Sequence, residues 1–200
     1  MTLPRPDRSA LTDDELVRLV CGGETDAFAE IVRRTRRPAY LLARRITRNH
    51  EDADDVVQES YVKAFRALDR FDAGAAIAPW FLTIVARTAL SSLRQGKRRA
   101  AAALDDPGPD GGAPLADRVA DPGSDPAILT RRIEVERAFS RLSEEHRAIL
   151  AMRVEGDLSY ATIAEALEIP IGTVMSRLAR AREALLEQMT KSRKAIPDEP

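Results

Sequence analysis

Apolar positions recur every three to four residues over most of this chain, the spacing of one buried helix face. Leu16, Val17, Leu19 and Val20 begin the pattern directly after Thr12-Asp-Asp-Glu15, whose spacing suits a capping box. Phe28, Ile31, Val32, Leu41, Leu42 and Ile46 mark a second helix over about 26–48. Val56, Val57, Tyr61, Ala64, Phe65 and Leu68 mark a third over about 51–68. Pro79 suits the first turn of a fourth, where the N–H that proline lacks has no helical acceptor, and this helix continues to about Arg99. Helical spacing resumes near Ile128 and lasts to about Lys191. There is no strand-like alternation and no internal repeat. The expected fold class is all-α, with two small helical domains.

Between them the composition changes. Residues 103–127 hold five prolines, four glycines and six aspartates. Such a stretch cannot bury enough apolar surface to offset chain entropy. The expected organisation is a helical domain over 9–99, a disordered acidic linker over 100–127 and a second helical domain over 128–191.

In the second domain, Ser143 can cap a helix carrying Ile149, Leu150 and Met152, and Gly156 ends it. Ser159 can cap the next, Tyr160 to Glu168, with Pro170 stopping it. The following stretch reads IPIGTVMSRLARAR, residues 169–182. Residues 169–172 are expected to form a turn and Thr173 to cap a last helix. On that helix Val174, Leu178, Ala181 and Leu185 share one side, and Thr173, Ser176, Arg177 and Arg180 fall opposite. This is a helix-turn-helix pattern with a polar, basic recognition face. An arginine in the major groove can bind guanine bidentately, while hydroxyls and further arginines hold phosphates. Without a second signal, the same face is simply a solvated helix surface.

Total charge says little, since charged residues are 32% of the chain and the net charge is −1. Distribution is more informative. Seven arginines and no acid lie between Arg33 and Arg48; four acids lie between Glu51 and Asp55; five bases and no acid lie between Arg87 and Arg99. Separate blocks suit separate partners. Cys21 is the one cysteine, which excludes an intramolecular disulfide and a cysteine-based metal site. His50 and His146 lack ligand spacing, so neither a metal nor another cofactor is expected. The longest apolar run, Ala75 to Ala86, is too short to span a bilayer, and the N-terminus lacks a signal pattern. A cytoplasmic location without membrane insertion is expected.

Two segments together resemble one family. LSYATIAEALEIPIGTVMSRLARARE is similar to the region 4 signature of extracytoplasmic-function (ECF) sigma factors, the compact bacterial type with regions 2 and 4 only. DAFAEIVRRTRRPAYLLARRITRNHEDADDVVQESYVKAFRALDRF resembles regions 2.1 and 2.2, and WFLTIVARTALSSLRQGKRR resembles regions 2.3 and 2.4. The match spans about three quarters of the chain, in the family's order and spacing.

The resemblance implies a transcription initiation factor with no enzymatic activity or small-molecule substrate of its own. Its implied partners are core RNA polymerase, through the β′ coiled coil and the β subunit, promoter DNA and an anti-sigma factor. Asp54, Asp55, Val57, Gln58 and Glu59, within DADDVVQE, correspond to the family's docking surface for the β′ coiled coil. The loop at Phe71 and Asp72, with Arg87, Thr88, Ser91, Arg94, Gln95, Lys97 and Arg98, corresponds to the part engaging the −10 element. The loop is implied to receive an extruded base, whose unstacking costs a few kcal/mol. Thr173, Ser176, Arg177 and Arg180 correspond to −35 contacts. Trp80 could offer a stacking platform, but at the start of an apolar helix it reads as core.

Three departures stand out. Glu168 occupies a position often glycine in the family; a left-handed residue there would cost about 1 kcal/mol, so the turn is expected to adjust. Met175 stands where relatives commonly carry lysine, which removes a DNA contact. Thr88, Ser91 and Ser92 replace the asparagine and aspartate frequent in region 2.4, which points to an altered −10 preference.

Three rival readings can be weighed. A stand-alone helix-turn-helix regulator would need a dimer helix, which the sequence lacks, and would leave DADDVVQE unexplained. A di-metal helical enzyme would need a second His-carboxylate set, which is absent. A pure interaction protein that sequesters a partner would not need Arg177 or Arg180 for promoter-directed transcription.

Overall fold

The computed structural model describes residues 7–102 and 126–194. Among them are eight α-helices, two 3-10 turns and no strand. Helix α1 is Asp13–Cys21, and its capping box forms as expected: the Glu15 N–H donates to Thr12 Oγ1 at 3.3 Å and the Thr12 N–H to Glu15 Oε2 at 2.7 Å. Helix α2 is Phe28–Thr47, entered through a 3-10 turn at Thr25–Ala27. Asn49 caps α3, His50–Ala67, by accepting from the Glu51 N–H at 3.1 Å. Helix α4 is Ile77–Ala102, with Pro79 in its first turn.

Helices α2, α3 and α4 close around Leu42, Ile46, Val56, Phe81 and Val85, all under 3% exposed. Tyr61 stacks on Phe81 at 4.5 Å between centroids. Each such side chain contributes about 1.5–3 kcal/mol of burial free energy. A smaller cluster of Leu16, Val20, Ile31, Leu68 and Ile77 seats α1, and Trp80 packs between the two clusters.

Of the stretch expected to be linker, residues 100–102 end α4 and 126–127 begin α5; residues 103–125 lie outside the described residues. Helices α5, Pro126–Ser140, α6, Glu144–Val154, α7, Tyr160–Leu167, and α8, Ile171–Lys194, form the second half. Ser143 and Ser159 cap α6 and α7 as expected. At Gly156 a Cβ would meet the Met152 carbonyl oxygen at 2.8 Å, so glycine permits the chain to turn sharply and bury Leu158.

Two expectations about the turn before α8 are corrected. The helix begins at Ile171, two residues before Thr173, and the Thr173 and Val174 N–H groups both donate to the Pro170 carbonyl. Thr173 therefore lies inside the first turn and is not its cap. Proline suits that junction because it ends α7's run and leaves its carbonyl for the new helix. The turn also does not adjust around Glu168, which is left-handed at φ 55° and ψ 43°. Its N–H closes onto the Ala164 and Glu165 carbonyls, satisfying the end of α7.

The halves join through one continuous core, with α2 against α6 and α4 against α7. Arg147 on α6 is 4% exposed and donates to the Ile46 carbonyl at 3.3 and 3.4 Å and to Leu142 at 3.1 Å. Ile46 lies in the last turn of α2, where carbonyls lack helical donors and a cation is favoured. Burial holds the Arg147 guanidinium below its usual pKa, although it stays charged. Arg45 on α2 reaches Glu136 at 2.6 Å and Glu155 at 2.9 Å, and lies 4.7 Å over the Phe139 ring.

Candidate nucleic-acid interface

The acidic block lies on the outside of α3. Asp54, Asp55, Gln58 and Glu59 are exposed along successive turns, whereas Val57 is buried in the core and cannot serve as a surface contact. His50 Nδ1 lies 3.4 Å from Asp54, and Lys63 pairs with Glu59 at 2.7 Å. Val62 and Phe65 continue this surface as exposed apolar groups. A carboxylate row beside apolar side chains can hold a basic helix while excluding water at its edge.

The α4 surface mixes accessible and engaged groups. Ser91, Arg94, Gln95 and Arg98 are exposed. Thr88 is 3% exposed and accepts a hydrogen bond from Lys63 Nζ at 3.2 Å, so it faces α3 and not solvent. Arg87 donates to the Glu165 carbonyl at 2.7 Å and the Ala166 carbonyl at 3.4 Å, at the end of α7. Lys97 pairs with Glu144 at 3.0 Å. Arg87 and Lys97 thus touch the second half, although both stay exposed, with side chains 44% and 68% accessible.

The loop before α4 is anchored from the first turn of α1. The Gly74 N–H donates to Asp14 Oδ1 and the Ile77 N–H to Asp13 Oδ2, both at 3.0 Å. Asp13 also pairs with Arg34 at 3.0 Å. Gly74 has φ 93°, a conformation that favours glycine. Phe71 folds inward, edge-on to Trp80 at 5.4 Å, while Asp72 stays exposed. These bonds join residues some 60 positions apart, so no local pattern announces them; both carboxylates read as ordinary first-turn acids of α1.

On α8, Val174, Leu178 and Ala181 are buried, which fixes the helix on α5, α6 and α7. Ser176 and Arg180 are exposed on the other side. Thr173 is half-buried and accepts through its carbonyl from Ser176 Oγ at 3.1 Å. Arg177 is half-buried and lies 3.8 Å from Glu145. No acid interrupts residues 171–182. A helix face with an exposed hydroxyl at Ser176 and a guanidinium at Arg180 fits a DNA groove.

Residues 31–99 match the family description Sigma-70 region 2, and residues 132–185 match Sigma-70, region 4. The chain is 36% identical over 179 residues to the ECF RNA polymerase sigma factor SigM of Mycobacterium tuberculosis, covering 89% of this chain and 85% of SigM. The chain belongs to the ECF sigma factors. As such it directs transcription initiation at promoters, and its family is not enzymatic. A second relative is the ECF sigma-E factor of Salmonella typhimurium, 36% identical over 180 residues, covering 88% of this sigma factor and 93% of the relative. The fold is also that of the sigma factor RpoE from Bartonella quintana, solved with the anti-sigma factor NepR. That structure has TM-score 0.65 and 24% identity, covering 82% of this chain and 96% of that one. Among the described residues of the sigma factor, no helix is long and apolar enough to cross a membrane, and no three His, Cys, Asp or Glu side chains are grouped to hold a metal.

Proposed function

We propose that this sigma factor docks on core RNA polymerase through Asp54, Asp55, Gln58 and Glu59 of α3, against a basic helix of the β′ coiled coil. The exposed end of α4 and the loop at Asp72 then engage and open the −10 element, with Ser91, Arg94, Gln95 and Arg98 as its accessible contacts. Helix α8 reads the −35 element through Thr173, Ser176, Arg177 and Arg180. The observation that supports this division is the separation of one exposed acidic face, on α3, from exposed basic faces on α4 and α8. Each face is thereby kept for a partner of opposite charge.

Arg87 and Lys97, both exposed, join the −10 contacts by exchanging their bonds to α7 and α6 for phosphates. Because the Bartonella quintana relative was solved with an anti-sigma factor, an anti-sigma factor is a partner to seek here too, in the cytoplasm. Run-off transcription with purified core polymerase on a genomic promoter library tests the assignment. Specific transcripts are expected with the native chain, and their loss is expected on reversing the charge of Asp54 and Asp55 together. Promoter selection that survives this reversal unchanged would remove α3 as the docking face.

A further inference from the structure

Ile171, Met175 and Ala179 are spaced four residues apart on α8 and form an exposed apolar strip. Ile171 is 50% and Met175 55% exposed, although both are large apolar side chains. Neither is needed to seat the helix, which Val174, Leu178 and Ala181 accomplish from the opposite side. The strip runs beside Ser176 and Arg180, and the first three turns carry arginines and no acid. An apolar strip flanked by cations suits an anionic partner that also presents apolar groups. Duplex DNA does so in the major groove, where each thymine displays a C5-methyl between hydrogen-bonding edges.

We propose that Met175, with Ile171 and Ala179 beside it, reads thymine C5-methyl groups in the −35 element. This rests on α8 being the −35-reading helix. The thioether is unbranched and polarizable, so it can follow a methyl whose position shifts with local groove shape. It donates no hydrogen bond and accepts only weakly, so it is a poor reader of guanine, cytosine or adenine by donor and acceptor pattern. Two kinds of contact therefore lie side by side on one helix. Arg180 and Ser176 supply the polar ones, and the strip discriminates thymine from uracil and cytosine.

The test uses holoenzyme, assembled from core polymerase and the full chain, and promoter duplexes from the run-off selection. Each −35 thymine, on either strand, is replaced singly by deoxyuridine, which removes only the methyl. With the native chain, one replacement is expected to weaken binding roughly three- to fivefold, the worth of one buried methyl. With Met175→Ser the penalty at that position falls below about twofold, the loss that remains without the apolar partner. Met175→Lys also erases it, strengthens overall binding and steepens the salt dependence by about one counterion. Met175 is exposed, so both variants fold, which thermal melts verify. The proposal is overturned by a −35 element lacking thymine, by indifference to every deoxyuridine, or by an undiminished penalty in Met175→Ser. Scrambling the whole −35 element is the control. Indifference to scrambling refutes −35 reading by α8 itself, whereas sensitivity to scrambling without methyl sensitivity refutes only the role of the strip.

Discussion

Arg87 on α4 and Arg180 on α8 carry the same charged group and meet different neighbours. Both are exposed, but the Arg87 guanidinium is bonded to backbone carbonyls of the other half of the molecule, 2.7 Å from that of Glu165, whereas Arg180 lies on the side of α8 away from its core contacts. The difference follows from what each helix packs against. Helix α4 touches α6 and α7, and α8 keeps its partners within its own half. The α4 surface thus gives part of its positive charge to an intramolecular partner, since helix-end carbonyls, like phosphates, attract a guanidinium. A basic residue's assignment to DNA therefore has to be read with its tertiary partners.

The sharpest way to break this comparison is to separate the halves. Arg147→Ala leaves the Ile46 and Leu142 carbonyls buried without a donor and is expected to cost about 2–3 kcal/mol in denaturant unfolding. An unchanged midpoint would mean that the buried guanidinium does not hold α6 on α2. Arg45 tests the rim of the same contact. A double-mutant cycle between Arg45→Ala and Glu155→Ala should give a coupling of about 1 kcal/mol, since both side chains are mostly buried. Additive losses would assign the effect to the Glu136 pair and to packing on Phe139.

Glu168→Gly relieves a left-handed residue at the turn leading to α8 and is expected to stabilise the second half by about 0.5–1 kcal/mol. A lower melting temperature would show that the glutamate side chain offsets its backbone cost. Asp14→Ala sharpens the contrast from the other side. It frees the Gly74 N–H, so promoter opening should slow by about two- to fivefold, the worth of one hydrogen bond, with −35 binding unchanged. Equal loss in both assays would mean that α1 acts through the whole fold.

The smallest expected effect is a pH dependence. Hydrogen bonds from Arg33 and Arg34 hold the Glu30 carboxyl down at about 2, against an ordinary 4.5. A carboxylate depressed in the folded state contributes stability that is full above 4.5 and lost as pH falls towards 2. Glu30→Gln should therefore flatten acid denaturation in that window and leave DNA binding alone. An acid profile identical to the native one would exclude this carboxylate as a contributor.

Much of the fold was legible because its signals are local. The Thr12–Glu15 box, the Ser143 and Ser159 caps and the Pro79 first turn each depend on residues within three or four positions. The helix-turn-helix was legible for the same reason, although Pro170, not Thr173, marks where α8 begins. The candidate site was legible only as a set of residue types. Thr88 and Val57 belong to the expected segments but point inward, because the neighbouring helix supplies Lys63 to one and core side chains to the other. Asp13 and Asp14 gave no sign of positioning a loop some 60 residues away.

By itself the sequence determined the helices, their order, the acidic and basic blocks and the recognition helix, since periodicity, capping and charge runs are written over a few turns. Only the tertiary structure decided which charges are accessible. Arg147 is buried because it meets the end of a helix 101 residues earlier, and Arg87 is tied by carbonyls 78 and 79 residues later. Desolvation and helix-end pairing are set by what lies across the core, and that neighbourhood exists only once the chain has folded.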